Sequence, residues 1–330
     1  MELKNRIVNK VSEKVEDDNP FPKKNLLIEI TNHCNNKCIF CYNECMHRKR
    51  KFINKELCKK ILVEAYELGM REVGFYVVGE PLLDKRLKDF IHYAKTIGYE
   101  YIYITTNGIL ANLIRVQELY ENGLNSIKYS INATNREDYK MIHKTDFFNT
   151  VIDNLTEVYQ WKKKNNSNLK IYVSFVTTDK TNKKEEIEAL FKNRCDEYII
   201  MPAINQGGLI PNIKEISSTK DDDINSNWNL PCPYPFHSVI VTVEGYLTAC
   251  CMDFENYLAY ADLNKVSLKE AWNNAIITDF RNKQRSKKIK NTICENCIYN
   301  TKSIPKPLST ELCSITDKNL LFQKEIEGRI

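Results

Sequence analysis

Cys34-Asn35-Asn36-Lys37-Cys38-Ile39-Phe40-Cys41, placed directly after the apolar run 26–30, decides how this chain reads. Three thiols so close together form a loop that can wrap one face of an iron–sulfur cluster. Three protein ligands on a four-iron cube leave one iron open for chemistry. A zinc site with a distant fourth ligand uses the same residue type and stays open on spacing alone. Cys45 continues the run as Cys41-x3-Cys45 and reads as a free or structural thiol.

Outward from that loop the chain alternates. Residues 26–30 read as a buried strand, and 54–68 as a helix with Leu57, Ile61 and Leu62 on one face, ended by Gly69. The pattern repeats as strand 72–78, helix 84–97, strand 99–105, a helix up to Gly123, strand 126–131, helix 148–163, strand 171–176, helix 181–192 and strand 198–201. Parallel strands need crossover connections, so this alternation predicts an α/β fold. Six units fall short of the eight that close a barrel. The expectation is a partial (β/α)6 TIM-like barrel with its chemistry at the carboxyl ends of the strands. Cys34, Gly79-Glu80, Asn107 and Ser130 all fall just past strand ends.

The expected division is an N-terminal arm at 1–23, the barrel at 24–205, a linker at 206–230, a small domain at 231–300 and a tail at 301–330. In the small domain, 239–243 and 246–249 flank the turn Glu244-Gly245 as a β-hairpin, and a helix follows around 268–273. The basic stretch 281–290 reads as a solvated helix face.

Composition narrows the class. The chain is 42% hydrophobic and 28% charged, as a globular protein is, and its 330 residues are ample for a core. No apolar run approaches the roughly 20 residues that span a bilayer. Residues 1–18 are charged and lack the apolar stretch of a signal peptide, so a cytoplasmic protein without membrane association is expected. The net charge of +5, from 48 basic and 43 acidic residues, is too small and too evenly spread to argue for nucleic acid. Twelve cysteines without an export signal point to metal or redox chemistry rather than disulfides.

Cys34-x3-Cys38-x2-Cys41, with Phe40 before the last cysteine, resembles the signature of the radical S-adenosylmethionine enzymes, and the resemblance runs over roughly residues 24–205. It implies a 4Fe–4S cluster on Cys34, Cys38 and Cys41. The open iron of that cluster would take the amino and carboxylate groups of S-adenosylmethionine, whose reductive cleavage gives a 5′-deoxyadenosyl radical that abstracts a hydrogen atom. Val78-Gly79-Glu80-Pro81 is similar to the family's Gly-Gly-Glu-Pro segment, which holds the methionyl amino group, with Val78 in place of the first glycine. A carboxylate and an exposed carbonyl beside a tight turn suit an ammonium. Thr105-Thr106-Asn107-Gly108 is similar to the family's third-strand ending, and Ser130 and Asn132 match the position that contacts ribose and carboxylate. The cofactor-binding set implied is Phe40, Gly79, Glu80, Asn107, Ser130 and Asn132; taken singly, Asn107-Gly108 is a turn and Ser130 a cap.

Cys232, Cys250 in the hairpin, and Cys294-x2-Cys297 make four thiolates in an arrangement that zinc ribbons share, so zinc and iron–sulfur both stay open on chemistry. The arrangement resembles the twitch domain, a trimmed form of the SPASM domain, in which these four positions ligate one auxiliary 4Fe–4S cluster. Cys251 is then a spare: a ligand swap, a buried thiol or a hydrogen-atom donor. Cys58 and Cys195 read as core residues, and Cys313 as a tail thiol outside the ligand set.

Two clusters imply an oxidation. Hydrogen abstraction from a carbinol carbon, followed by loss of a proton and an electron, yields a carbonyl, and an auxiliary cluster can take the electron. By its resemblance to the 2-deoxy-scyllo-inosamine dehydrogenase type, the expected substrate is a small molecule: a sugar, aminocyclitol or nucleotide-sugar. A flavodoxin or ferredoxin is the implied reductant. A peptide-modifying maturase (epimerase or crosslinker) is the first alternative, against which the short segment 1–23 counts. A non-catalytic iron–sulfur or zinc protein is the second. The catalytic base is unassigned; Tyr76, Tyr103, Lys128 and His237 are candidates for the barrel mouth.

Overall fold

The computed structural model describes residues 2–3, 19–178, 183–210, 230–299, 301 and 303–314. Much of the expected arm (4–18), the linker (211–229) and the end of the tail (315–330) lies outside these. Six strands pair in parallel in chain order: β1 (Leu26–Ile28), β2 (Glu72–Gly74), β3 (Tyr101–Thr106), β4 (Ser126–Ser130), β5 (Lys170–Thr177) and β6 (Glu197–Pro202). The helices between them are α1 (Lys55–Glu67), α2 (Leu87–Ile97), α3 (Leu113–Glu121), α4 (Arg136–His143) with α5 (Phe148–Lys164), and α6 (Lys184–Phe191). Asparagines start three of the helices: Asn54, Asn112 and Asn135 each accept from first-turn amides that would otherwise lack partners.

Strand alternation sorts the core into two layers. Leu26, Ile28, Val73, Ile102, Ile104, Ile127 and Val173 face the helices, where they meet Ile61, Leu62, Phe90 and Leu155. Leu27, Tyr103 and Ile240 form the inner layer, against which Tyr76, Tyr101, Tyr234 and Cys251 pack. The barrel floor is therefore filled, largely with tyrosine.

The C-terminal part begins with α7 (Tyr234–His237) and continues with β7 (Val239–Val241), β8 (Tyr246–Thr248), β9 (Ala259–Asp262), α8 (Leu268–Trp272), α9 (Ala275–Arg285) and α10 (Ile293–Tyr299). It joins both edges of the open barrel. On one side β7 pairs in parallel with β1, so that a single sheet runs β6-β5-β4-β3-β2-β1-β7-β8-β9. On the other, the turn after β6 packs on α10: Asn205 Nδ2 donates to the Asn296 carbonyl at 2.9 Å. Gly208, at φ +86°, lies so close that a Cβ there would stand 2.9 Å from Asn296 Cβ.

Several elements depart from the sequence reading. The strand expected over 72–78 leaves the regular ladder after Gly74, because Val77 and Val78 turn away toward the cysteine loop. Helix α4 and strand β9 were not anticipated. The basic stretch 281–290 is not wholly solvated. Arg281 is fully buried, donating to the carbonyls of Pro235 and Trp272 at 2.8 Å each and stacking 4.1 Å from the Trp272 ring. The start of the tail is ordered, with Leu308 N bonded to Tyr257 O at 2.8 Å and Cys313 buried. Cys58 and Cys195 are buried core thiols. Among the described residues no helix is long and apolar enough to cross a membrane.

Two buried carboxylate clasps hold the C-terminal part to the segment that follows the cysteine loop. Arg48 bonds both Glu29, at the end of β1, and Glu244 in the β7–β8 turn, the latter at 2.7 Å; Glu29 Oε2 also accepts from Val243 N at 2.7 Å. Glu255 accepts from His47 N at 2.7 Å and from Ser314 Oγ at 2.8 Å. Removing one partner of a buried pair leaves the other charged and undercompensated. Arg48→Met should therefore cost about 3–5 kcal/mol of unfolding free energy. Anaerobic urea denaturation measures it, and a loss within the range of an ordinary surface substitution would show that the triad is not what joins the parts.

Candidate active site

The cysteine loop follows β1 at the carboxyl end of the sheet and rests on the end of α4. The helix's last carbonyls lack intrahelical donors, and the loop supplies two: Lys37 N to His143 O at 3.1 Å and Ile39 N to Ile142 O at 2.9 Å. His143 itself is buried. Its Nε2 donates to the Ile131 carbonyl at 2.7 Å, which leaves Nδ1 unprotonated, accepting from Asn36 Nδ2 at 3.2 Å and standing 3.1 Å from Cys38 Sγ. Burial pulls its pKa down to about 4, so the ring is neutral.

A second set of bonds fixes the far side of the loop. Asn43 Nδ2 donates to Asn32 O at 3.1 Å and to Val78 O at 2.7 Å. Arg50 Nη1 reaches Asn32 O at 2.6 Å and Asn43 Oδ1 at 3.0 Å, bringing a positive charge beside Cys34 and Cys41. Tyr42 N donates to Gln206 Oε1 at 3.0 Å, tying the loop to the segment after β6. Phe40 packs beside Tyr42, Val78 and Phe254.

Gly79 is where the β2 turn meets this loop. A Cβ there would stand 2.8 Å from the His33 carbonyl and closer still to that of Thr31, while Glu80 N donates to His33 O at 2.8 Å. The Glu80 carboxylate is buried and used inside the protein. Oε1 accepts from Leu82 N at 3.0 Å and Thr106 Oγ1 at 2.8 Å, and Oε2 from Asn107 N at 2.7 Å. Burial pushes its pKa up to about 7 against the pull of those donors. Asn107 Nδ2 in turn donates to Asn35 Oδ1 at 2.6 Å, while its Oδ1 accepts from Ile109 N at 3.1 Å. Cysteine loop, β2 turn and β3 end are thus one hydrogen-bonded rim.

Ser130 and Asn132 form the next part of the rim. Ser130 Oγ lies 3.1 Å from Ser174 Oγ, and Asn132, at φ +58°, accepts from Val176 N at 2.8 Å. His143, through Ile131 between them, joins this part to Cys38. Of the candidate bases, Tyr76, Tyr103 and Lys128 share the barrel interior, with the two rings 6.0 Å apart and Lys128 Nζ 5.9 Å from the Tyr76 ring. His237 does not belong with them: it precedes β7, and its carbonyl receives Asn25 Nδ2 at 3.5 Å, before β1 and so at the opposite end of the strands.

Cys232, Cys250, Cys294 and Cys297 line one pocket with Ile204, Ala249, Leu258 and Ile298. Cys251 is absent from that lining and packs instead against the tyrosine-rich inner layer of the barrel. Among the described residues no three of these side chains, in either group, converge on a point that could hold a single metal ion. The four cysteines of the second group surround a pocket, as a cluster bringing its own sulfides requires. Burial raises every thiol concerned, Cys41 and Cys232 to about 12 and Cys297 to about 11. Loading iron must therefore displace protons.

Sequence reasoning missed His143, Arg50, Asn43, Gln206 and Thr106. The asparagine-rich run 32–36 was the one visible sign that the loop needed side-chain bracing.

Residues 28–192 match the Radical SAM superfamily and residues 232–298 the SPASM iron–sulfur cluster-binding domain. The chain belongs to the radical SAM superfamily and carries a SPASM-type domain after the barrel; two 4Fe–4S clusters and S-adenosylmethionine are the cofactors of that combination. It is similar to a probable GTP 3′,8-cyclase of Saccharolobus solfataricus, 31% identical over 134 residues, which are 41% of this chain and 43% of that protein. The GTP 3′,8-cyclase of Clostridium perfringens is 28% identical over 191 residues, 55% of this chain and 56% of that protein. The chain thus spans about half the length of the curated relatives it matches. Among solved structures, BtrN in complex with AdoMet and 2-DOIA superposes with a TM-score of 0.58 at 20% identity, covering 84% of this chain and 92% of BtrN. SuiB of Streptococcus suis bound to its precursor peptide SuiA gives 0.63 at 14% identity, covering 94% and 78%. These likenesses show the fold.

Glu80 sets a pH signature. Its pKa is raised in the fold, so its stabilising contribution is complete below the ordinary value of 4.5 and is lost as pH rises through about 7. Denaturant unfolding of the wild type should weaken across that window more steeply than that of Glu80→Gln. Parallel profiles would mean that Glu80 does not titrate there.

Proposed function

We propose that this enzyme oxidises a carbinol of a small polyhydroxylated substrate of the sugar, aminocyclitol or nucleotide-sugar class. When bound, S-adenosylmethionine on the first cluster supplies a 5′-deoxyadenosyl radical and the auxiliary cluster supplies a one-electron acceptor. Cys34, Cys38 and Cys41 hold the first cluster in this reading, and Cys232, Cys250, Cys294 and Cys297 the second.

The chain's own residues have these tasks. Gly79 lets the β2 turn lie against Thr31–His33 so that its backbone faces the cofactor; the Glu80 carboxylate holds that turn to Thr106 and Asn107 rather than contacting the cofactor itself. Asn107, Ser130 and Asn132 shape the rim on which the nucleoside rests, beside Phe40. Tyr76 and Lys128, on the inner face of the barrel, are placed to orient the hydroxyl and accept its proton.

The observation that carries the reading is that the four-cysteine pocket abuts the barrel interior, with Cys251 between the two. A substrate in the barrel would then lie within reach of an electron acceptor. The likeness to BtrN over 92% of that chain supports it. A peptide substrate is the second reading, supported by the likeness to SuiB with its bound peptide over 94% of this chain.

Anaerobically reconstituted protein should hold about eight iron atoms per chain. Changing Cys294 and Cys297 together to Ala should spare cleavage of S-adenosylmethionine to 5′-deoxyadenosine while abolishing carbonyl formation from a polyol panel. Intact oxidation in that variant would remove the acceptor role. Turnover of peptides but not polyols would decide for the second reading.

A further inference from the structure

Gln284 lies in the last turn of α9 (Ala275–Arg285) and is fully buried. A glutamine with no access to water, in a stretch otherwise rich in lysine and arginine, needs a reason. Its carboxamide orientation is fixed by chemistry. The backbone N–H of Cys232 can only donate, and it does so to Gln284 Oε1 at 3.3 Å. The NH2 group must therefore point the other way. There Nε2 is buried without a hydrogen-bond partner among the described residues. The sulfur beside that amide is Cys294. One side chain thus bonds the backbone of one auxiliary cysteine, Cys232, and leaves an unpaired N–H beside the sulfur of another, Cys294.

We propose that the Gln284 carboxamide donates an N–H···S hydrogen bond to Cys294 and thereby raises the reduction potential of the auxiliary cluster. The inference rests on the ligand set proposed above. In that reaction the substrate radical loses one proton and one electron. The electron lowers the auxiliary cluster by one unit of charge and later leaves to a low-potential one-electron carrier. Added negative charge spreads over the ligating sulfurs, so a donor to one of them stabilises the reduced state more than the oxidised one. The pocket wall carries a backbone donor, Met252 N to Cys250 Sγ at 3.3 Å, among the apolar side chains of Ile204, Ala249, Leu258, Ile293 and Ile298. Gln284 is a positioning residue: it acts through the cluster ligands and touches no substrate.

The test reads a potential. In full-length protein carrying Cys34→Ala, Cys38→Ala and Cys41→Ala, only the auxiliary cluster remains, at about four iron atoms per chain. Potentiometric titration followed by electron paramagnetic resonance should place its midpoint at a more negative potential in both Gln284→Glu and Gln284→Met. Gln284→Glu keeps the acceptor for Cys232 N–H but exchanges the donor for a group that can carry negative charge; Gln284→Met removes the donor without adding charge, so its shift decides. An unchanged midpoint at full iron content overturns the proposal. Should either variant fail to retain iron, Gln284 protein labelled with 15N-glutamine decides. The reduced cluster should show a weak nitrogen coupling, and its absence overturns the bond. A triple variant that binds no iron overturns both this inference and the ligand set. A midpoint shift in an enzyme inert toward every polyol leaves this bond standing and removes the reading of the reaction.

Discussion

The buried triad of Arg48, Glu29 and Glu244 is the constraint on which the rest of the molecule depends. Arg48 lies between the cysteine loop and α1, Glu29 just beyond β1, and Glu244 in the turn between β7 and β8. Three segments that share no sequence neighbourhood meet in one charge network with the Val243 amide as a further donor. Buried ion pairs contribute little net stability compared with well-packed apolar residues, but they are unforgiving of misalignment. This one sets the register of β7 against β1, and so the place where the C-terminal part begins relative to the barrel.

From that register follows the relation between the two cysteine groups. A partial barrel of six strands has two open edges, and the SPASM-type part occupies both, β7 along β1 and α10 against the turn after β6. The pocket lined by Cys232, Cys250, Cys294 and Cys297 is thereby held against the barrel interior, with Cys251 and Tyr234 packed between it and Leu27, Tyr103 and Ile240. In the proposed reaction electron transfer between substrate and cluster would depend steeply on separation, and that separation is set by a continuous sheet rather than by a flexible tether.

Much of this was legible in the sequence, because ligand spacing and strand–helix alternation are local signals. Cysteines separated by three and then two intervening residues, glycines after strands, and a Glu-Gly turn between apolar runs need no knowledge of the fold. What stayed hidden is tertiary. Arg281 sits in a run of cations that any window reads as solvated, yet the carbonyls of Pro235 and Trp272 and the Trp272 ring take it into the core. Helix α4 is short and polar, and its purpose is visible only where its terminal carbonyls meet the cysteine loop. His237 reads as a candidate base by residue type, and only strand direction shows that it stands at the wrong end.

Glu80 shows how much of a motif residue's bonding is internal to the fold. A carboxylate beside a cofactor's ammonium is the simplest electrostatic reading of the segment, and the fold does place Glu80 beside the cysteine loop. Its two oxygens, however, are filled by Leu82 N, Thr106 Oγ1 and Asn107 N. A carboxylate so engaged has little capacity left for a ligand and carries a desolvation cost if ionised. What it gives the site is geometry. It holds the end of β3 to the turn after β2, while the absence of a Cβ at Gly79 lets that turn press against the Thr31 and His33 carbonyls. The pairing of glycine and glutamate is then a single device, one residue permitting close approach and the other locking it. In the function proposed here, the backbone groups of the turn, rather than the side chain, face the cofactor.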